Sequence, residues 1–255
     1  MQKRRNLEIL DNKKDFTEKY YGYLLKLAKN KFEFISFLDY KKNNNNILWR
    51  HDIDHSIHRA YKLAQIEAKK NIKSTYFFHF HNFFYNLLEE EIVILSKKIL
   101  ELGHELGLHF DPYFYQKTFG VNCDLDKYLK IEKKLLEEVF ENKVVAISLH
   151  NPDTFKNFNL TKEKIRGMIN VNSYYIKKHY DYCSDSNGYW RFNRLEDIII
   201  NSGTKNLHVL THPGWWVPEP MSPRDRVTRC IEGRAKSQHT RYDDILKKYR
   251  RENIR

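Results

Sequence analysis

Acidic and imidazole side chains recur in this chain at places where they could bind a metal ion or move protons. The segment Trp49-Arg50-His51-Asp52-Ile53-Asp54-His55 carries two carboxylates one residue apart. In an extended strand, Asp52 and Asp54 share a face and Ile53 takes the other. Two carboxylates that close are costly unless a cation lies between them or one is held protonated. Division of labour follows, with one carboxylate on a metal and its neighbour free as a base. The structural alternative is a strand-end pair that caps the next helix.

Three further segments repeat the pattern. In Gly103-His104-Glu105-Leu106-Gly107-Leu108-His109-Phe110-Asp111, period two groups Glu105, Gly107 and His109 on one face. His109 is the ligand candidate, and Gly107 before it leaves room for something to approach. His104, on the opposite face, reads as a hydrogen-bonded structural histidine. Asp111 precedes Pro112, which ends a strand and leaves the direction of Asp111 open. Val144–His150 ends in His150, a candidate third ligand or substrate contact. Leu207-His208-Val209-Leu210-Thr211-His212 puts His212 at a strand tip, ahead of Pro213-Gly214-Trp215-Trp216. Aromatic faces such as Trp215 and Trp216 beside polar strand ends suit a sugar ring, with a hydrophobic lid as the alternative. Asp185, Trp190 and Arg191 are expected to orient one another or to anchor an anionic substrate group. Mixed Asp/His ligation fits Zn²⁺ or another divalent transition ion better than Ca²⁺. A base and an acid on either side of a bound water make amide or ester hydrolysis the simplest reaction.

Such residues need strands to carry them. Strand-like runs at Ile47–Asp54, Ser74–His81, His104–Phe110, Val144–His150, Gly167–Asn172 and Asn206–His212 alternate with helix-period segments at His58–Lys70, Asn86–Leu102, Asp124–Glu141 and Leu195–Asn201. That alternation predicts βα units, a mainly parallel sheet, and sites at the C-terminal ends of its strands. No Gly-rich phosphate loop follows any strand, which weakens nucleotide-binding versions of the fold. A closed or nearly closed (β/α) barrel competes with an open doubly wound sheet, and the economical reading is a single barrel over residues 47–217, with 1–46 as an N-terminal helical extension and 218–255 as a basic helical tail packed on or beside it.

Composition narrows the class. With 255 residues, 15% aromatics and 31% charged residues, the chain is a globular protein large enough for a core without disulfides. The N-terminus lacks the apolar segment of a signal peptide, and no run is apolar enough for a membrane span. Cys123, Cys183 and Cys230 match no metal or redox spacing, so a reduced, cytoplasmic protein is expected. The formal charge of +12 suggests polyanions, but the lysines lie beside glutamates on helical faces, as in Glu132-Lys133-Lys134. Nucleic-acid binding is therefore the weaker reading.

Taken together, Arg50-His51-Asp52-Ile53-Asp54-His55-Ser56, Ser74-Thr75-Tyr76-Phe77-Phe78 and Gly103-His104-Glu105-Leu106-Gly107-Leu108-His109 resemble the polysaccharide deacetylase family (NodB-type, carbohydrate esterase family 4). The likeness spans roughly residues 47–216 and is greatest to its WbmS-like branch, which is associated with bacterial surface-polysaccharide (O-antigen) gene clusters. It implies a deformed (β/α) barrel and a divalent-metal N-deacetylase acting on an N-acylated sugar, nucleotide- or lipid-linked. Asp52 would correspond to the family's base, Asp54 and His109 to metal ligands, and His212 to the histidine that protonates the leaving amine. Asp185 and Arg191 would fall near the segment that tunes that histidine or the base. The family's second metal histidine falls at Tyr113. His150 is the favoured replacement, with Asp111 and His55 as alternatives. The competing implication is a catalytically degenerate carbohydrate-binding protein on the same barrel.

Overall fold

The computed structural model describes residues 14–41, 45–151, 161–190, 193–201 and 203–254. The strands, in chain order, are β1 (Glu33–Phe34), β2 (Asn46–Asp52), β3 (Thr75–Phe78), β4 (Glu105–Phe110), β5 (Val144–Leu149), β6 (Lys164–Ile165), β7 (Met168–Asn170), β8 (Asp181–Ser184) and β9 (Leu207–Thr211). The helices are α1 (Glu18–Lys29), α2 (Ile57–Ala68), α3 (Glu90–Glu101), α4 (Pro112–Phe119), α5 (Leu125–Phe140), α6 (Tyr174–His179), α7 (Leu195–Asn201) and α8 (Pro223–Lys248).

The strands form one sheet in the order β6-β7-β5-β4-β3-β2-β9-β8, with β1 beside the start of β2. Every pairing is parallel except β6 with β7. This is the α/β architecture that the strand–helix alternation predicts. Among the described residues no pairing joins β6 to β8, so what is seen is a mostly parallel nine-stranded sheet rather than a closed ring.

Alternation along the strands gives the sheet two different faces. Ile53, Tyr76, Phe78, Leu106, Leu108 and Phe110 pack outward against the apolar stripes of α2, α3 and α5. Ser56 starts α2 by accepting a hydrogen bond from the Arg59 amide at 3.3 Å. From there Ile57, Ala60, Leu63 and Ala64 lie on its buried side. Each such side chain, fully buried, contributes about 1.5–3 kcal/mol if as large as leucine. Helix α1 belongs to the same body. Its Tyr21, Leu24 and Leu25 pack with Trp49, Val209 and Trp216, so residues from the expected N-terminal extension help build the core.

The inner face is apolar only at its base, where Phe37, Leu48, Phe77, Ala146, Ile169 and Ile176 meet. Further along the strands it turns polar. Gly107 is required here for packing. A Cβ at that position would stand 2.6 Å from the Phe77 ring, so the aromatic ring, rather than a ligand, occupies the room that glycine leaves.

One irregularity matters for the site. Leu106 pairs with Val144, but the next pair is Gly107 with Ala146, so Val145 is an extra residue in β5. A bulge of this kind reverses the phase of everything after it. Val144 faces outward, Val145 and Ala146 both face inward, and Ile147 and Leu149 return to the outer core. Ser148 and His150 are thereby turned to the inner face.

Candidate metal centre

Register explains how the candidate ligands meet. Asp52 pairs with Phe77, and Phe77 with Gly107, across three adjacent parallel strands. Two residues further along each strand direction lie Asp54, His79 and His109, one row of donors at the strand ends. His150 follows β5, its amide bonded to the Phe110 carbonyl at 2.8 Å. One nitrogen or carboxylate oxygen from each of Asp54, His79, His109 and His150 lies within 4.8 Å of the others. His109 Nε2 is 3.3 Å from Asp54 Oδ1 and 3.2 Å from His150 Nδ1. Donors held about 2.0–2.1 Å from one tetrahedral ion stand about 3.4 Å apart, so these separations suit a shared cation.

The donors are also poorly satisfied without one. Asp54 Oδ1, both ring nitrogens of His79, and His109 Nδ1 are buried with no hydrogen-bond partner. Buried polar atoms are almost always paired, and a missing ion is one of the few reasons for a cluster of exceptions. Burial raises the pKa of Asp54, but His109, His212 and His150 outweigh it and hold the carboxyl well below its usual range. Burial and the neighbouring His109 push His79 well below the ordinary histidine value, leaving it the neutral base that a metal needs.

The backbone around Asp54 is pinned. Asn82 Nδ2 donates to the carbonyls of Ile53 and Asp54 at 3.3 and 2.9 Å, and the Tyr85 hydroxyl donates to Ile53 at 2.7 Å.

Asp52 sits one step deeper. Both its oxygens accept from Arg50 Nη1, at 2.9 and 3.0 Å, and Oδ2 also accepts from Ser148 Oγ at 3.0 Å. Its Oδ2 lies 3.7 Å from His109 Nδ1, which leaves His109 Nε2 facing the cluster. That separation is too long for a hydrogen bond, so Asp52 acts on His109 through its charge.

His212 closes the opposite side, its Nε2 3.7 Å from Asp54 Oδ2. The fully buried Asp185 accepts from His212 Nδ1 at 2.6 Å, from the His212 amide at 3.0 Å, and from Trp216 Nε1 at 2.8 Å. Burial disfavours a charge on His212. The Asp185 carboxylate, its hydrogen bond, and Asp54 and Asp52 prevail and lift the pKa to about 9.

A cavity of about 820 Å³ opens over these groups, lined by Asp52, Asp54, His79, His109, His150 and His212. Trp215 and His55 are at its wall, with rings 4.5 Å apart. Gly214 permits that contact, since a Cβ there would lie 2.7 Å from His55 Cβ. Trp190 and Trp216 are not among the lining residues. They pack on Phe16 in the core, and Trp216 reaches the site only through its bond to Asp185. Arg191 lies outside the described residues.

Asp111 caps α4 by accepting from the Phe114 amide at 3.2 Å, and its Oδ2 is 3.9 Å from His79 Nε2. Tyr113 is exposed on α4. His104 is buried, its Nε2 3.1 Å from the Ala64 carbonyl, as a structural histidine would be. His79 escaped the reading of the sequence because the aromatic run around it looks like core. The available signal was register: β3 lies between two ligand-bearing strands, and a histidine ends it.

Among the described residues no helix is long and apolar enough to cross a membrane. The chain matches no protein-family model and no curated protein.

Proposed function

We propose that the protein is a metal-dependent hydrolase that removes an N-acyl group, acetyl in the simplest case, from a sugar of bacterial surface-polysaccharide biosynthesis. The observation that carries this reading is the opposition of two proton-handling groups across one donor cluster: Asp52 behind His109, and the His212–Asp185 pair beside Asp54. On this reading the sheet curls as the deformed barrel of the polysaccharide deacetylases.

Asp54, His79, His109 and His150 would hold the ion, Zn²⁺ by preference for a mixed Asp/His donor set. Bound there, it would polarise the acyl carbonyl and lower the pKa of a water. Asp52, steadied by Arg50 and Ser148, accepts the proton released by that water. His212, kept protonated by Asp185, gives a proton to the departing amine, so the leaving group is a neutral amine rather than an amide anion. Asp185 is held in turn by the Trp216 indole, which fixes the imidazole with its Nε2 toward the cavity. Trp215 and His55 at the wall offer an apolar face to the sugar ring.

Acetate release from a panel of free and nucleotide-linked N-acetyl sugars, with zinc-supplied protein, tests the reading. Release that is lost in Asp52→Asn and His212→Ala is expected. A protein that binds about one ion per chain yet releases no acetate from any of the panel would exclude it.

A further inference from the structure

A hydrolytic metal site keeps one coordination position open, whereas four protein donors close a tetrahedral site. The cluster has four donors, so one of them must be able to leave. The arrangement of the strands identifies which. Asp54, His79 and His109 occupy one row across the adjacent strands β2, β3 and β4. In that row the residue of β5 is Ser148, paired with His109, and His150 stands one pleat further along.

Packing separates the four in the same way. The side chains of His79 and His109 are 5% and 3% exposed, and Asp54, though 21% exposed, stands in the row of donors with them rather than a pleat beyond it. His150 is 25% exposed, lies beyond the last residue of β5, and precedes Asn151, whose φ of 48° turns the chain away from the strand. Its ring rests on His79, with centroids 4.8 Å apart, and faces the cavity. A side chain on the rim can change rotamer into the cavity. His79 cannot do so without displacing its neighbours.

We infer that Asp54, His79 and His109 are the permanent ligands and that His150 is an exchangeable fourth, which closes the site when it is empty of substrate and withdraws to admit an oxygen ligand. This rests on the metal-binding reading of the cluster, but not on the identity of the substrate. It also gives the position that Tyr113 fails to fill a different successor. His79, from the neighbouring strand, completes the permanent set, and His150 regulates access to it.

The test uses zinc-loaded full-length protein, with metal measured after dialysis against a weak chelator and folding checked by far-ultraviolet circular dichroism. His150→Ala is expected to keep close to one equivalent of zinc, with affinity weakened about tenfold or less. His79→Ala and His109→Ala are expected to lose it, with affinities weakened at least a hundredfold. In cobalt-substituted protein, acetate as a probe ligand should shift the visible d–d bands of the wild type while keeping their four-coordinate intensity, as it takes the place of His150, and bind more tightly to His150→Ala; a large loss of intensity in the wild type would show that His150 stays bound. Retention of zinc by His79→Ala would overturn the inference, as would loss of zinc from His150→Ala. His79→Gln, which keeps most of the side-chain volume, distinguishes a lost ligand from a cavity. Zinc loss in both His79 variants supports the assignment. Failure of the wild type to bind zinc would instead remove the metal reading on which the inference stands.

Discussion

Two buried clusters of acid and histidine lie back to back across β2, and they differ in one respect. On the outer face Glu67 accepts from the hydroxyls of Tyr21, Tyr76 and Ser74, the latter two at 2.8 and 2.6 Å, and its Oε1 is 2.7 Å from His51 Nε2. His51 Nδ1 completes the chain at 2.7 Å from Thr211 Oγ1. On the inner face Asp54 Oδ1 and both nitrogens of His79 have no hydrogen-bond partner. Both clusters bring a carboxylate together with histidine, and the unpaired atoms of the inner one are themselves buried. A polar cluster whose every member is satisfied locks helix to sheet. One with several buried donor atoms left unpaired, all close to one another, is a group that could hold a metal ion. Ionisable residues in a core therefore say little until their partners are counted.

Several substitutions probe that contrast. The largest effect belongs to Asp54→Ala, expected to abolish metal binding and lower acyl hydrolysis about 10⁴-fold, some 5 kcal/mol. Zinc content after dialysis and the rate of acetate release check the two effects.

Glu67→Ala should do the reverse, costing about 3–5 kcal/mol of stability by leaving a buried partner uncompensated. Any folded fraction should still bind metal. Burial raises the pKa of Glu67, yet the charge and hydrogen bond of His51, helped by His104 and Ser74, bring it down from 4.5 to about 2. A folded pKa below the unfolded one gives stability that is complete above pH 4.5 and lost as the pH falls toward 2. Urea unfolding of wild type and Glu67→Gln should thus differ at pH 7 by roughly 3 kcal/mol from this source, and converge on acidification.

Asp185→Asn should lower kcat/KM about a hundredfold at neutral pH. His212 is lifted to about 9 chiefly by Asp185, so a group that must stay protonated serves the wild type until alkaline pH. In the variant the alkaline fall should begin nearer the ordinary histidine value, a shift read directly from the kcat/KM profile. An unmoved profile would show that His212 is not the proton donor. Ser148→Ala, which removes one hydrogen bond from Asp52, should reduce activity only about threefold to tenfold and leave stability within about 1.5 kcal/mol.

The sequence made some of this legible and hid the rest for definable reasons. Strict alternation in Asp52-Ile53-Asp54 was enough to put Asp52 and Asp54 on one face and Ile53 on the other, and the same rule separated His109 from His104. Those assignments need only one unbroken strand each. His79 needed the pairing of β3 between β2 and β4, which no single segment encodes. Trp190 and Trp216 read as exposed aromatics because polar and loop-forming residues surround them, yet Phe16 and α1 cover them. Helices α4 and α6 and the short strands β6 and β8 carry too little periodicity to stand out. His150 was recognised as a residue, but its direction was hidden in an apolar run with no visible bulge.

That extra residue in β5 works as a reading frame for side chains. The identity of Val145 matters less than its presence as one added count in the strand. Were β5 to run as a regular strand with Val145 counted into its alternation, every donor would stay in the sequence, yet Ser148 and His150 would turn into the oily interface beneath α5. Insertion of a further residue in β5 should therefore be far less tolerated than loss of Val145, which leaves a regular strand with Ala146 and Ser148 still facing inward, and a comparison of the two variants would expose that dependence on counting.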